Sequence, residues 1–265
     1  MDRLCDALAM RLLATLHRWW GVAFCLLFAM WFASGIVMHF VPFPARSERP
    51  VLPEIEASHT YAARIDYDQW TVAGDFDRDR PLTRIALDDG AGTEIYISAS
   101  GDVVLSTTRL QRLANYAGSI AHWLYPTALR HHKRIWSSLM WWLSLLATVG
   151  AALGAIVGVT RLGRALAYQG LQRWHHVCGL IFAPFLLAWI FSGFLSMDDG
   201  RLFAHSDELF RILHKLDFPP LSSHPSLRTG AIVTLCLCGL AFSLTGVVLA
   251  WRRVREPTGS NDGNL

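Results

Sequence analysis

Four stretches of this chain carry no Asp, Glu, Lys or Arg: residues 19–45, 135–160, 174–197 and 229–251, which are 27, 26, 24 and 23 residues long. A helix of about 20 apolar residues crosses the ~30 Å hydrocarbon layer of a bilayer, so each stretch is long enough to span. Charged residues make up 17% of the chain, against about a quarter in soluble domains. The 52% hydrophobic content excludes intrinsic disorder. Eleven Trp suit a protein with two membrane–water interfaces, where indole rings settle. The sequence predicts an all-α membrane protein, a four-transmembrane-helix bundle, with a small α+β module inserted between the first and second spans.

The expected organisation is an N-terminal segment and first span over 1–45, an outer module and pre-helix segment over 46–134, a second span at 135–160 and a loop at 161–173. A third span at 174–197, an outer segment at 198–228, a fourth span at 229–251 and a tail at 252–265 complete it. With both termini inside, the inner segments hold nine Arg and four acids, and the outer ones 15 Lys or Arg and 17 acids. The short loop RLGRALAYQGLQR has three Arg and no acid, and short loops weigh most under the positive-inside rule. The first apolar run is too long for a signal-peptide core and is expected to be retained. None of the five Cys lies in an outer segment, so no disulfide framework is indicated. No basic groove for nucleic acid is evident. Pro184 falls early in the third span, where it is a candidate kink.

Within the outer module, Arg84-Ile-Ala-Leu87 and Glu94-Ile-Tyr-Ile97 alternate, split by Asp89-Gly-Ala-Gly92. A second turn, Ser100-Gly-Asp102, precedes Val103-Val-Leu105, and the pattern predicts a β-meander. In the second outer segment SDELFRILHKL predicts a short amphipathic helix.

The most informative feature is an internal repeat. His17, Gly21, Trp31, Ser34 and Gly35 recur 158 residues later as His175, Gly179, Trp189, Ser192 and Gly193. His122-Trp-Leu-Tyr-Pro126 and His214-Lys-Leu-Asp-Phe-Pro219 each precede an even-numbered span by about 14 residues, matching with a one-residue gap. The chain thus reads as two repeated helix pairs. In each odd-numbered span a Gly lies one turn beyond the His and another five turns along the same face. A flat macrocycle between helices needs this: an imidazole to ligate iron, and absent side chains where the ring approaches backbone. His17 and His175 are therefore expected to be axial ligands of an inner haem, with Gly21 and Gly179 beside it, and His176 as the competitor for His175. Symmetry assigns His122 and His214 to a second, outer haem. His39 with Met197, and His131 or His132, are the alternatives there, while His205 and His224 read as loop histidines. The helix rises about 33 Å from His17 to His39 at 1.5 Å per residue, a gap that haem edges and aromatics such as Trp31 and Trp189 are expected to shorten.

No HExxH, GxSxG, Walker or GxGxxG pattern occurs in a fitting context. DDGAGTE lacks Ca-loop spacing and reads as a hairpin turn. Charge-free spans also argue against an ion-coupled transporter.

LHRWWGVAFCLLFAMWFASGIVMHFVPFP, QWTV, AHWLYPTALR, RWHHVCGL, LHKLDFPPL and LTGVVLAWRR, with YISASGDVV in the module, resemble the PepSY-associated transmembrane proteins of bacteria. The resemblance covers nearly the whole chain. It implies an inner-membrane haem protein similar to ferric or ferrisiderophore reductases, with the outer module PepSY-like. Some members carry a flavin and nicotinamide reductase domain that these 265 residues lack, so the electron donor is expected to be external, a quinol or a flavoprotein. The function expected is a di-haem b-type electron-transfer protein, carrying two haem b groups. It would pass electrons outward to a periplasmic ferric chelate or redox partner. The alternative is a non-redox, membrane-anchored PepSY-type binding or regulatory subunit.

Overall fold

The computed structural model describes residues 2–47, 59–164, 167–198, 201–203 and 206–255. In chain order its helices are α1 (Asp2–Phe40), α2 (Arg109–Asn115), α3 (Thr127–Arg130), α4 (Lys133–Thr160), α5 (Gly170–Leu195), α6 (Ser206–Lys215), α7 (Pro219–Ser222) and α8 (Pro225–Arg255). The strands are β1 (His59–Ile65), β2 (Leu82–Leu87), β3 (Glu94–Ile97) and β4 (Val103–Thr107). Four helices are long and apolar enough to cross a bilayer: Leu8–Phe40 within α1, then α4, α5 and α8. The chain is a multi-pass membrane protein with a small sheet module.

Helix boundaries follow local chemistry more than the charge-free limits. α1 extends back to Asp2, because the charged run before residue 19 is still made of good helix formers such as Leu, Ala, Met and Arg. It stops at Phe40 because Pro42 and Pro44 follow, and a residue before Pro is driven from helical dihedrals. α8 starts with Pro225 at its first turn, where the missing N–H costs nothing. α5 carries Pro184 in its interior and stays one helix from Gly170 to Leu195.

The chain divides into two units, residues 1–33 with 139–265, and residues 34–138. The second holds a four-stranded sheet in the order β1-β2-β3-β4, each neighbour antiparallel. The three strands expected from alternation form its meander, and β1 is an addition. Its core gathers Trp70, Phe76, Leu82, Tyr96, Val104 and Leu105. The β3–β4 turn needs Gly101, whose φ is +92°. Arg46 grips Asp79 with two bonds, Nε to Oδ2 at 2.6 Å and Nη2 to Oδ1 at 3.0 Å. That bond holds the Asp79 carboxyl below the usual carboxylate range. Thr108 caps α2 with a reciprocal box to Gln111. A π turn over Tyr116–Ile120 then carries the chain to His122.

In the first unit, the expected amphipathic helix is α6. The loop after α5 closes on a buried Asp198, which accepts from the backbone of Leu202 and Phe203, both at 2.9 Å.

Candidate functional site: a histidine-walled cavity between the spans

A cavity of about 940 Å³ opens in the first unit, at the end of the bundle where α1 and α5 begin and α4 and α8 end. Its size sits at the upper end of the ~300–1,000 Å³ typical of small-molecule and cofactor sites. His17 and His175, expected as a ligand pair, both line it, as does His176.

The helices reach this geometry through missing side chains. On α4, the Trp20 ring packs directly on Gly150 and its Nε1 donates to the Leu146 carbonyl at 2.8 Å. One turn on, a Cβ at Gly154 would lie 2.8 Å from His17 Cε1, closer than real Cβ atoms come to anything. On α8, a Cβ at Gly246 would lie 3.6 Å from His175 Cε1. Each imidazole therefore rests on a glycine of the following span. Gly21 faces open space, with nothing within 4 Å of a side chain there. Gly179 also lines the cavity, but the Phe242 ring occupies the room above it, 3.1 Å from a would-be Cβ. The Gly150, Gly154 and Gly158 row, open in sequence between packing within the bundle and packing between chains, is filled here by Trp20, His17 and Leu180 of the same chain.

The imidazoles are held differently. His175 stacks on Phe242 (4.9 Å between centroids, 15° between planes), with Nδ1 2.8 Å from Thr245 Oγ1. His176 leans on Tyr168. His17 Nδ1, His176 Nε2 and Ser243 Oγ are buried and, among the described residues, have no hydrogen-bond partner. All three residues line the cavity. Unsatisfied buried polar atoms are rare in folded proteins, and each calls for an explanation. Arg18, Arg161, Arg252 and Arg253 add positive charge to the lining.

Of the outer candidates, His214 belongs to the first unit and His122 to the second. His214 Nδ1 is 3.1 Å from both Ser192 Oγ and the Trp189 carbonyl. Burial lowers its pKa from 6.5 to about 4, against the pull of that carbonyl and with the nearby Lys215 charge adding to the fall. The His214 ring is neutral at pH 7. His122 Nδ1 is 3.0 Å from Ser34 Oγ. Both histidines precede by two residues a Leu in the left-handed region, Leu124 at φ 45° and Leu216 at φ 49°. Side chains pay roughly 1–2 kcal/mol for that conformation. Among the alternatives, His131 stacks on Tyr67 at 4.3 Å and touches His132, and His39 packs edge-on to Phe40. Met197 is half-buried in the turn after α5, and His205 lies outside the described residues.

Rings fill the space between the cavity and His214. The contacts run from His175 to Phe242, Phe182, Phe32 and Trp189, with centroid separations of 4.9, 6.2, 5.7 and 5.7 Å. The Trp189 carbonyl then meets His214. Among the described residues no group of three or more His, Cys, Asp or Glu is placed to hold a metal ion.

No protein-family model, curated protein or solved structure matches the chain.

Proposed function

We propose that this protein is a di-haem b-type electron-transfer protein of the bacterial inner membrane. It would have both termini cytoplasmic and pass electrons outward to a ferric chelate, in the manner of the PepSY-associated reductases it resembles. One observation carries the reading: two imidazoles from two different spans wall one cavity, over glycines, beside buried polar atoms that have no hydrogen-bond partner among the described residues.

The residues fit the group. His17 and His175 would hold the iron, and imidazole pairs are an established way to hold haem iron. Gly21 leaves room for the ring edge, and the arginines of the lining suit its carboxylates. The group, when bound, supplies one-electron chemistry at a potential set by its ligands and surroundings. The chain's own part is to orient two imidazoles, exclude water with Trp20, Phe28 and Phe242, and supply packed rings toward His214.

The repeat is part of the proposal, and the cavity lining supports it. His17 and Gly21 on α1 match His175 and Gly179 on α5 at a spacing of 158. Gly154 and Arg161 on α4 match Gly246 and Arg253 on α8 at a spacing of 92, which is also the spacing of His122 and His214. His122 and His214 are each proposed as a ligand of outer haem iron. That rests on this spacing and on the hydroxyl that each ring meets at Nδ1, as metal-bound histidines characteristically have a partner on the second nitrogen. The donor, a quinol or a flavoprotein, would deliver electrons at the cytoplasmic face.

A dithionite-reduced visible spectrum of protein purified from haem-sufficient cells is the test. A b-type α-band is expected, and a colourless protein overturns the proposal.

A further inference from the structure

A neutral imidazole bears one N–H, and only its other nitrogen has a lone pair to give to iron. The partner at one nitrogen decides which is which. On α8, Thr245 Oγ1 donates to the Phe242 carbonyl at 2.6 Å. With its single proton committed there, the hydroxyl can only accept from His175 Nδ1, 2.8 Å away. On α5, Ser192 Oγ donates to the Trp189 carbonyl at 2.9 Å and meets His214 Nδ1 at 3.1 Å. The Trp189 carbonyl, also 3.1 Å from that nitrogen, has no proton to offer. Toward His214 Nδ1, the Ser192 hydroxyl and the Trp189 carbonyl are therefore both acceptors.

We infer that Thr245 and Ser192 are positioning residues that lock His175 and His214 as Nδ1–H tautomers, leaving the lone pair of each on Nε2. In both locks a hydroxyl gives its proton to the carbonyl three residues earlier, that of an aromatic residue, and accepts from a histidine of another helix. Reversing the tautomer at His175 forces Thr245 to turn its proton from the carbonyl to Nδ1. That exchange costs one hydrogen bond in an apolar interior, on the order of 1 kcal/mol, which favours Nδ1–H by roughly five- to tenfold. His17 shows the unlocked case. Its Nδ1 is buried without a partner among the described residues, and the α4 residue preceding Gly154 is Leu153, where α8 has Thr245 before Gly246.

The locks are a property of the protein itself; only their use, to present Nε2 to iron, rests on the haem proposal. The full chain, labelled with 15N-histidine and produced under haem depletion, is examined by NMR in nanodiscs. Parallel preparations made with haem are assayed for pyridine haemochrome. Pyrrole-type Nδ1 and pyridine-type Nε2 shifts are expected for His175 and His214. Thr245→Val moves His175 toward a mixture and leaves His214 alone, Thr245→Ser restores it, and Ser192→Ala loosens His214. In haem-loaded protein Thr245→Val weakens haem retention, about 10- to 100-fold for loss of such a partner. It also shifts the inner midpoint potential positive, because the imidazole loses an acceptor that made it more basic. An Nε2–H pattern in the wild type, or a His175 pattern indifferent to Thr245→Val, overturns the locks whether or not haem binds. The Nδ1–H pattern in a chain that takes up no haem sustains the locks and removes the haem proposal.

Discussion

The two walls of the cavity occupy corresponding helix positions and solve the same problem unequally. On one wall His175 rests loosely over Gly246, stacks on Phe242 and has its Nδ1 bonded to Thr245. On the other, His17 is pressed against Gly154, under a close Trp20–Gly150 contact, and its Nδ1 has no partner among the described residues. The first ring is held by directional bonds and the second by contact alone. Close packing tolerates little added volume, whereas a hydrogen bond tolerates volume but not loss of its partner. The walls should therefore fail under different substitutions.

The largest contrast is expected at the glycines. Gly154→Ala must displace the His17 ring, so the proposed inner haem should be lost or retained at least tenfold less tightly. Gly246→Ala meets Cys25 Cβ at 3.4 Å and His175 at 3.6 Å, ordinary contacts, and should retain it. Haem content of the two purified variants checks this. Equal losses would erase the contrast.

A smaller effect is expected from acid. The His214 pKa is depressed from 6.5 to about 4, so in the haem-free fold the ring stays neutral while the unfolded chain takes up a proton. Stability that His214 permits at pH 7 is therefore lost progressively as pH falls from about 6.5 to about 4. Thermal melts across that range should show the decline, and His214→Gln should flatten this part of it.

Leu153→Thr sharpens the comparison from the other side. It places on α4 the hydroxyl that α8 has at Thr245, and should move His17 toward the Nδ1–H tautomer with a modest negative shift of the inner midpoint potential. A potentiometric titration reads it.

The smallest effect concerns the sheet module, where Arg46 pairs with Asp79. Asp79→Asn removes the charge from the Arg46 link and should lower the module's melting stability by about 1 kcal/mol. Haem content should be unchanged.

Much of this arrangement was legible in the sequence, because the physics behind it is local. Charge-free runs mark spans, alternation with Gly-rich turns marks β2 to β4, and a repeated His–Gly spacing marks the faces that meet the cavity. The rest was silent for reasons that are also physical. Thr245 reaches His175 across 70 residues, and its bond to the Phe242 carbonyl leaves no periodic trace. Gly154 stood out only as one of a packing row, since a single helix does not reveal which ring it will face. β1 lies beyond a Pro-rich run, with no turn-linked partner to announce it. The left-handed Leu124 and Leu216 occupy positions where a Gly or Asn would have signalled the helix end.

Haem stoichiometry of His17→Ala, His175→Ala and the double variant tests the central claim most directly. If the two imidazoles hold one group between them, each single variant loses the same single equivalent and the double loses no more, the non-additivity of partners in one site. Full haem content in both single variants would contradict the account.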